Sequence, residues 1–192
     1  MRIAFVLFDD LTALDFVGVY DPLTRLKTMG FLPDLAWDLC APTATVEDEA
    51  GLRLLATRVG GSLEGYDLVV VPGGPGTRTL RYDPSFLAWL RTASSCPLKA
   101  SVCTGSLLMG AAGFLDGRTA TTHPAAFDLL REWPVQTVVD ERIVDEGAVI
   151  TARGVTSSID LGLYLCEKLA GAEAGERIRR QIDYRRPSET SA

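Results

Sequence analysis

The sequence predicts an α/β three-layer sandwich, with a mainly parallel central sheet and helices on both faces. Three observations carry that prediction. Short, almost unbroken apolar runs rich in β-formers, RIAFVLF (2–8), YDLVVV (66–71) and LKASV (98–102), read as strands buried on both sides. Stretches with apolar residues at helical spacing lie between them, so strand and helix alternate along most of the chain. Two of the strands run straight into turn signals, PGGPG at 72–76 and CTG at 103–105. This is the pattern of a flavodoxin-like α/β sandwich.

The elements follow in order. After the strand at 2–8 comes a helix with Leu11, Leu14 and Val17/Gly18 at helical spacing. It is expected to break at Asp21-Pro22, where aspartate caps and proline takes the first turn of a second piece. A second strand covers 35–41, and 45–57 reads as a short hairpin or edge segment. Beyond the strand at 66–71, Asp83-Pro84 starts a helix through Phe86, Leu87 and Leu90. The strand at 98–102 ends at Cys103, and a helix over 105–112 stops at Gly113. A short strand at 118–121, a helix from His123-Pro124 to Leu130, and a strand at 135–139 come next. Residues 143–145 and 148–152 flank Glu146-Gly147, a hairpin signal. Helices at 157–169 and 172–182 follow, and the polar tail 185–192 reads as frayed.

Totals narrow the function classes. A chain of 192 residues suits one domain over 1–192, and 47% hydrophobic with 23% charged residues is ordinary for a globular enzyme. The formal net charge of -6 disfavours nucleic acid and anionic membrane partners, which call for a basic face. The apolar run at 3–8 is too short for a signal-peptide core, and no run approaches the ~20 apolar residues of a membrane span. The expected location is the cytoplasm, with Cys40, Cys96, Cys103 and Cys166 as free thiols. No CxxC exists and His123 is the single histidine, so a structural zinc site is not expected, and the activity expected below needs no metal or organic cofactor.

One of the four thiols stands apart. In KASVCTGSLLM (99–109) a short strand runs into Cys103, Thr104, Gly105 and Ser106, then into an apolar helix. That is the logic of a nucleophile elbow, where a reactive side chain sits on a tight turn at the carboxyl edge of the sheet. Amides at the start of the new helix favour a thiolate. Ligands of open α/β sheets also bind beyond the strand carboxyl ends. Cys40, Cys96 and Cys166 read as packing thiols. The glycines of PGGPG let backbone approach a ligand and leave amides as oxyanion donors. Gly73 and Gly74, with Gly105 of the elbow, are therefore the expected substrate and oxyanion contacts.

Three segments together carry a resemblance: PGGPG at 72–76, SVCTGSLLMGAAGFLDGRTATTHP at 101–124, and LTALDFVGVYDPL at 11–23. They resemble the ThiJ/PfpI superfamily, whose domain is like that of class I glutamine amidotransferases, and within it the isocyanide hydratase branch. The resemblance covers residues 2–182. It implies that Asp15, on the first helix, lies beside Cys103 as an acid. A carboxyl next to a thiolate is best kept protonated, ready to donate to sulfur or substrate. Thr104 matches the threonine that follows the nucleophile in isocyanide hydratases; protease-like members have histidine there, so peptide hydrolysis is not expected. His123, in TTHP, is the accessory candidate, with helix capping as its structural alternative, while Asp128 and Glu132 read as a solvated face. AraC-type regulators carry similar amino-terminal domains followed by about 100 residues of helix-turn-helix region. A complete regulator of that kind is not expected here. A homodimer is the implied assembly.

The expected activity is a cysteine-dependent hydro-lyase that adds water to a small electrophile, an isocyanide, to give an N-substituted formamide. Cys103 is the nucleophile, Asp15 the proton donor, and Thr104 an orienting group. Two other readings use the same thiol: a glyoxalase- or deglycase-like enzyme on small carbonyls, and a redox sensor without turnover. The pocket walls are expected from loops at 77–82 and 153–158.

Overall fold

A computed structural model describes residues 1–185. The expected frayed tail therefore lies, from residue 186 on, outside the described residues. The chain opens with β1 (Arg2–Val6), α1 (Ala13–Thr28) and β2 (Ala36–Ala41). A hairpin of β3 (Thr45–Glu47) and β4 (Arg53–Leu55) precedes the two-residue β5 (Arg58–Val59). β6 (Leu68–Val71) leads to α2 (Thr77–Leu80) and α3 (Pro84–Arg91), and β7 (Leu98–Val102) to α4 (Gly105–Ala111). Then come β8 (Thr119–Ala120), α5 (Phe127–Leu130), β9 (Thr137–Val138), β10 (Ile143–Asp145) and β11 (Val149–Ala152). α6 (Ser157–Ala170) and α7 (Ala172–Gln181) complete the described chain.

Seven strands form one sheet in the order β10-β11-β7-β6-β1-β2-β5. Every pairing is parallel except that of β10 with β11, the hairpin turned at Glu146-Gly147. The interior strands β6, β7 and β11 are buried at every position, as expected of strands covered on both faces. From β1 the chain steps outward to β2, then returns to β6 on the other side of β1. Right-handed crossovers in opposite directions put α1 and the later α3 on opposite faces. The result is the flavodoxin-like sandwich, and among the described residues no helix is long and apolar enough to cross a membrane.

Local chemistry explains most boundaries. Asp83 caps α3, its Oδ1 accepting from the amides of Ser85 and Phe86 at 2.8 and 3.1 Å. Gly113, at φ +87°, takes the left-handed position just past α4 that ends the helix. His123 starts a 3-10 turn, Pro124–Ala126, before α5, rather than one continuous α-helix. Residues 77–80, expected as loop, wind into α2.

The expected break at Asp21-Pro22 does not occur. α1 continues through Pro22, although an interior proline lacks an amide for the carbonyl of Gly18 and costs about 3 kcal/mol. Burial decides the matter. Val19, Leu23 and Leu26 are fully buried on one continuous stripe, each worth about 1.5–3 kcal/mol. The proline is also absorbed by a close seam with α6. A Cβ on Gly162 would stand 2.9 Å from Pro22 Cγ and 3.0 Å from the Gly18 carbonyl. The Cys166 thiol donates to the Pro22 carbonyl at 3.3 Å. At Gly18 a Cβ would fall 2.0 Å from Ser158 Oγ, so only glycine admits Ser158.

Gly18→Ala is therefore expected to lower stability by about 1–3 kcal/mol through overpacking. Adding Ser158→Gly should recover most of that loss. Urea unfolding of the single and double variants measures both, and additive losses would contradict the proposed clash.

Candidate active site

Cys103 follows β7 directly and adopts φ +54°, one of three non-glycine residues with positive φ among those described. For an L-residue that conformation costs roughly 1–2 kcal/mol. Three hydrogen bonds hold it. The Cys103 amide donates to the Ala152 carbonyl of β11 at 3.0 Å. Its carbonyl accepts from Ser106 Oγ at 3.1 Å and from Thr122 Oγ1 at 2.9 Å. The elbow is thus tied to the neighbouring strand, to the first turn of α4, and to the TTHP segment. Gly105 then brings α4 hard against the end of β6: a Cβ there would lie 2.3 Å from the Val71 carbonyl.

Asp15, in the first turn of α1, is fully buried. Its Oδ2 accepts from the Gly73 amide at 3.0 Å, while Oδ1 has no hydrogen-bond partner and the carboxyl lies beside the Cys103 thiol. Gly73 is required by close approach, since a Cβ would stand 2.7 Å from both Asp15 Oδ2 and the Thr104 amide nitrogen. Gly74, at φ +134°, gives its amide to Thr104 Oγ1 at 3.0 Å, and that hydroxyl also meets the Gly74 carbonyl at 3.1 Å. Both glycine amides of the PGG turn are therefore engaged. They hold Asp15 and Thr104 in place and are not free oxyanion donors, as the sequence leads one to expect. Thr104, likewise, is committed to Gly74 rather than to Asp15.

Electrostatics couple the two reactive groups. Burial pushes the Asp15 carboxyl up from 3.8 to about 7, against the Gly73 amide and the thiol, which favour its charged form, while the charge of Glu49 adds a further upward push. Burial, then the adjacent Asp15 charge, push the Cys103 thiol up from 9.0 to about 12, while the Thr104 amide and hydroxyl act in the opposite direction. The thiolate expected from the helix start is thus opposed by desolvation, and Cys103 is only 5% exposed. Two negative charges side by side are the costly state. With the carboxyl protonated, its charge no longer opposes ionisation of the thiol, and the Thr104 groups favour the thiolate.

The remaining candidates divide. His123 is half-buried and its Nδ1 accepts from the Ala125 amide at 3.2 Å, the helix-capping role. Its ring also lies near Gly154, where a Cβ would meet Cδ2 at 3.6 Å, in the segment leading into α6. Asp128 is exposed and paired with Arg131. Glu132 is not merely solvated, because it accepts from the Tyr82 hydroxyl at 2.8 Å and faces the buried Arg81 at 3.4 Å. All four cysteines are free and buried, so backbone conformation and the facing carboxyl, rather than exposure, single out Cys103. Sequence reasoning missed Ser106, Thr122 and Glu49; only the nearness of Ser106 to the elbow gave a signal. Among the described residues, no group of three or more His, Cys, Asp or Glu side chains is arranged to hold a metal ion.

A cysteine on a left-handed elbow, faced by a buried carboxyl at the carboxyl edge of a parallel sheet, defines a thiol-bearing protein of the flavodoxin-like class. The chain belongs to the DJ-1/PfpI family, whose sequence profile matches residues 1–168. It is 36% identical over 185 residues to an isonitrile hydratase from Pseudomonas putida, spanning 96% of this chain and 78% of that protein. A Parkinson disease protein 7 homolog from Danio rerio is 33% identical over 116 residues, 59% of this chain and 61% of that protein. Among solved structures, a ThiJ/PfpI family protein from Pseudomonas syringae superposes with a TM-score of 0.87 at 27% identity, covering all of this chain and 78% of that one.

The raised carboxyl has a consequence for stability. An unfolded Asp15 loses its proton near pH 4, whereas the folded carboxyl keeps it to about pH 7. The folded state binds the extra proton, so wild-type stability falls between about pH 4 and pH 7 and stays lower above. Asp15→Asn removes this dependence. Relative to wild type it should gain on the order of 4 kcal/mol in moving from pH 4 to pH 8. Urea midpoints at both pH values test this, and a pH-independent difference would contradict a buried, raised carboxyl.

Proposed function

We propose that the protein is a cysteine-dependent hydro-lyase that converts an isocyanide to an N-substituted formamide. The observation that carries this reading is the buried Asp15 carboxyl, raised to about 7, facing Cys103 at the elbow. The 36% identity to an isonitrile hydratase supports the substrate class. The threonine after the cysteine and the lack of a histidine there fit hydration better than peptide hydrolysis. We take the working form to be a homodimer, as the superfamily resemblance implies, and its place to be the cytoplasm. Leu14 and Val17, which flank Asp15 on α1, are 45% and 42% exposed and offer apolar surface for it.

In this mechanism the Cys103 thiolate attacks the isocyanide carbon as Asp15 delivers its proton to that carbon, leaving a thioimidate and a carboxylate. Water then adds across the C=N bond, its oxygen going to carbon and its hydrogen to nitrogen, with the Asp15 carboxylate relaying the proton. Collapse expels the Cys103 thiolate, and the hydroxyl proton returns to Asp15. The formamide leaves with both groups restored. The amides of Gly73 and Gly74 are engaged, so the Thr104 amide, which favours the Cys103 thiolate, is the donor assigned to the sulfur.

The test is formamide production from an aryl isocyanide. Cys103→Ala should abolish turnover, and Asp15→Asn should lower kcat by about 10²-fold or more while leaving the fold intact. The working pair, a protonated Asp15 beside a Cys103 thiolate, holds one proton in all, so the wild-type rate should rise as pH passes about 7 and then level off. Full activity in Asp15→Asn would remove the proposed acid. Lactate from methylglyoxal, with no formamide from any isocyanide, would replace this reading with the carbonyl one.

A further inference from the structure

A recess whose lining does not include Cys103 lies at the carboxyl edge of the sheet. It encloses about 410 Å³, within the range of small-molecule sites, and neither Cys103, Asp15 nor Thr104 lines it. Its place in the fold is telling. The chain leaves β1 for β2 on one side and returns to β6 on the other, so strand order reverses between β1 and β6. In open α/β sheets the crevice outside the carboxyl ends of such strands is where ligands bind. The recess takes its walls from the segments just past β1, β2 and β6, and from α3.

The chemistry of the walls narrows the occupant. Phe8, Phe86 and Trp89 form an aromatic side, with ring centroids 5.9 Å apart for Phe8–Phe86 and 5.4 Å for Phe86–Trp89, both edge to face. Asp9, Asp10 and Asp83 are the charged residues of the lining, and no Lys, Arg or His is among them. Asp9 accepts from the Glu47 amide and Asp83 caps α3, each through Oδ1. Asp10 is exposed, and its carboxylate has no basic partner among the described residues. A phosphate or carboxylate ligand would meet three negative charges without a counter-ion. An organic cation finds both carboxylates and the partly exposed Trp89 ring, backed by the buried Phe8 and Phe86, the two attractions that recognise ammonium groups.

We propose that this recess is a binding site for a small organic cation, an ammonium group carrying an aromatic or aliphatic body. The body lies against Trp89, which the buried Phe8 and Phe86 hold in place, and the ammonium faces Asp9 and Asp10. The Asp10 carbonyl accepts from the Gly76 amide at 3.1 Å, and the Thr12 amide donates to the Gly73 carbonyl at 2.9 Å. The occupant thus rests against the same backbone that seats Asp15, without touching it.

Calorimetric titration with 2-phenylethylammonium, with 2-phenylethanol as the neutral probe, tests the site. The cation is expected to bind saturably, one per chain, and about tenfold more tightly than the alcohol. Asp9→Asn with Asp10→Asn keeps the side-chain shapes, and asparagine tolerates the φ of +59° at position 10. That variant should lose most of the tenfold preference while still binding the alcohol. Cys103→Ala should bind the cation as wild type does, whatever its effect on isocyanide turnover. Equal affinity for the two probes, an unchanged preference in the double variant, or no saturable binding would each overturn the proposal. So would loss of binding in Cys103→Ala, which would place the cation at the thiol instead.

Discussion

The left-handed backbone of Cys103 is the constraint on which the rest of the site depends. An extended residue there would carry β7 onward, and a right-handed one would start α4 a residue early. The φ of +54° instead turns the chain within one residue and presents the side chain at the sheet edge. Its roughly 1–2 kcal/mol of strain is offset by the bonds to Ala152, Ser106 and Thr122, each worth about 0.5–1.5 kcal/mol. These partners come from β11, α4 and the segment before α5. The elbow is therefore a product of the assembled sheet and not of its own five residues.

Around that turn, two local costs serve one chemical end. Asp15 is buried with one oxygen lacking a partner, and Cys103 is pressed beside it in a setting that resists its ionisation. A protein selected for stability alone would place apolar groups in both positions. The Gly73 amide and the Thr104–Gly74 pair hold the arrangement together without quenching it, because only the Gly73 amide binds the carboxyl, and through one oxygen. A group poised near neutral pH in a closed site is the usual sign of proton transfer.

Much of the fold was legible in the sequence, and physical reasons separate what was from what was not. β6 and β7 announced themselves as unbroken apolar runs, α3 by its Asp83-Pro84 start, and the β10–β11 hairpin by Glu146-Gly147. All of these are local signals. The continuity of α1 through Pro22 was illegible, because it rests on Gly162 and Cys166, well over a hundred residues away. The one-turn α2 and the two-residue β5 are too short to leave a periodic pattern. In the site, Cys103 was marked by its strand-turn-helix setting. Asp15 was marked only by resemblance, since nothing in its own neighbourhood distinguishes it from a solvated helix-start acid. That Gly73 and Gly74 give their amides to side chains was likewise beyond local reading. Those partners arrive from elements 58 and 30 residues distant.

The seam between α1 and α6 also bears on how the protein is made. Asp15 sits near the start of the chain, yet its helix is locked by Ser158, Gly162 and Cys166. During synthesis the first helix leaves the ribosome long before its partner exists, and at about 5–20 residues per second it waits many seconds for α6. Until then Pro22 and the small residues of α1 have nothing to close against. A nascent chain can pair β1, β6 and β7, but the helix that carries Asp15 closes its seam only after α6 has been made. The helix that carries Asp15 thus gains its full set of contacts later than the strand that carries Cys103.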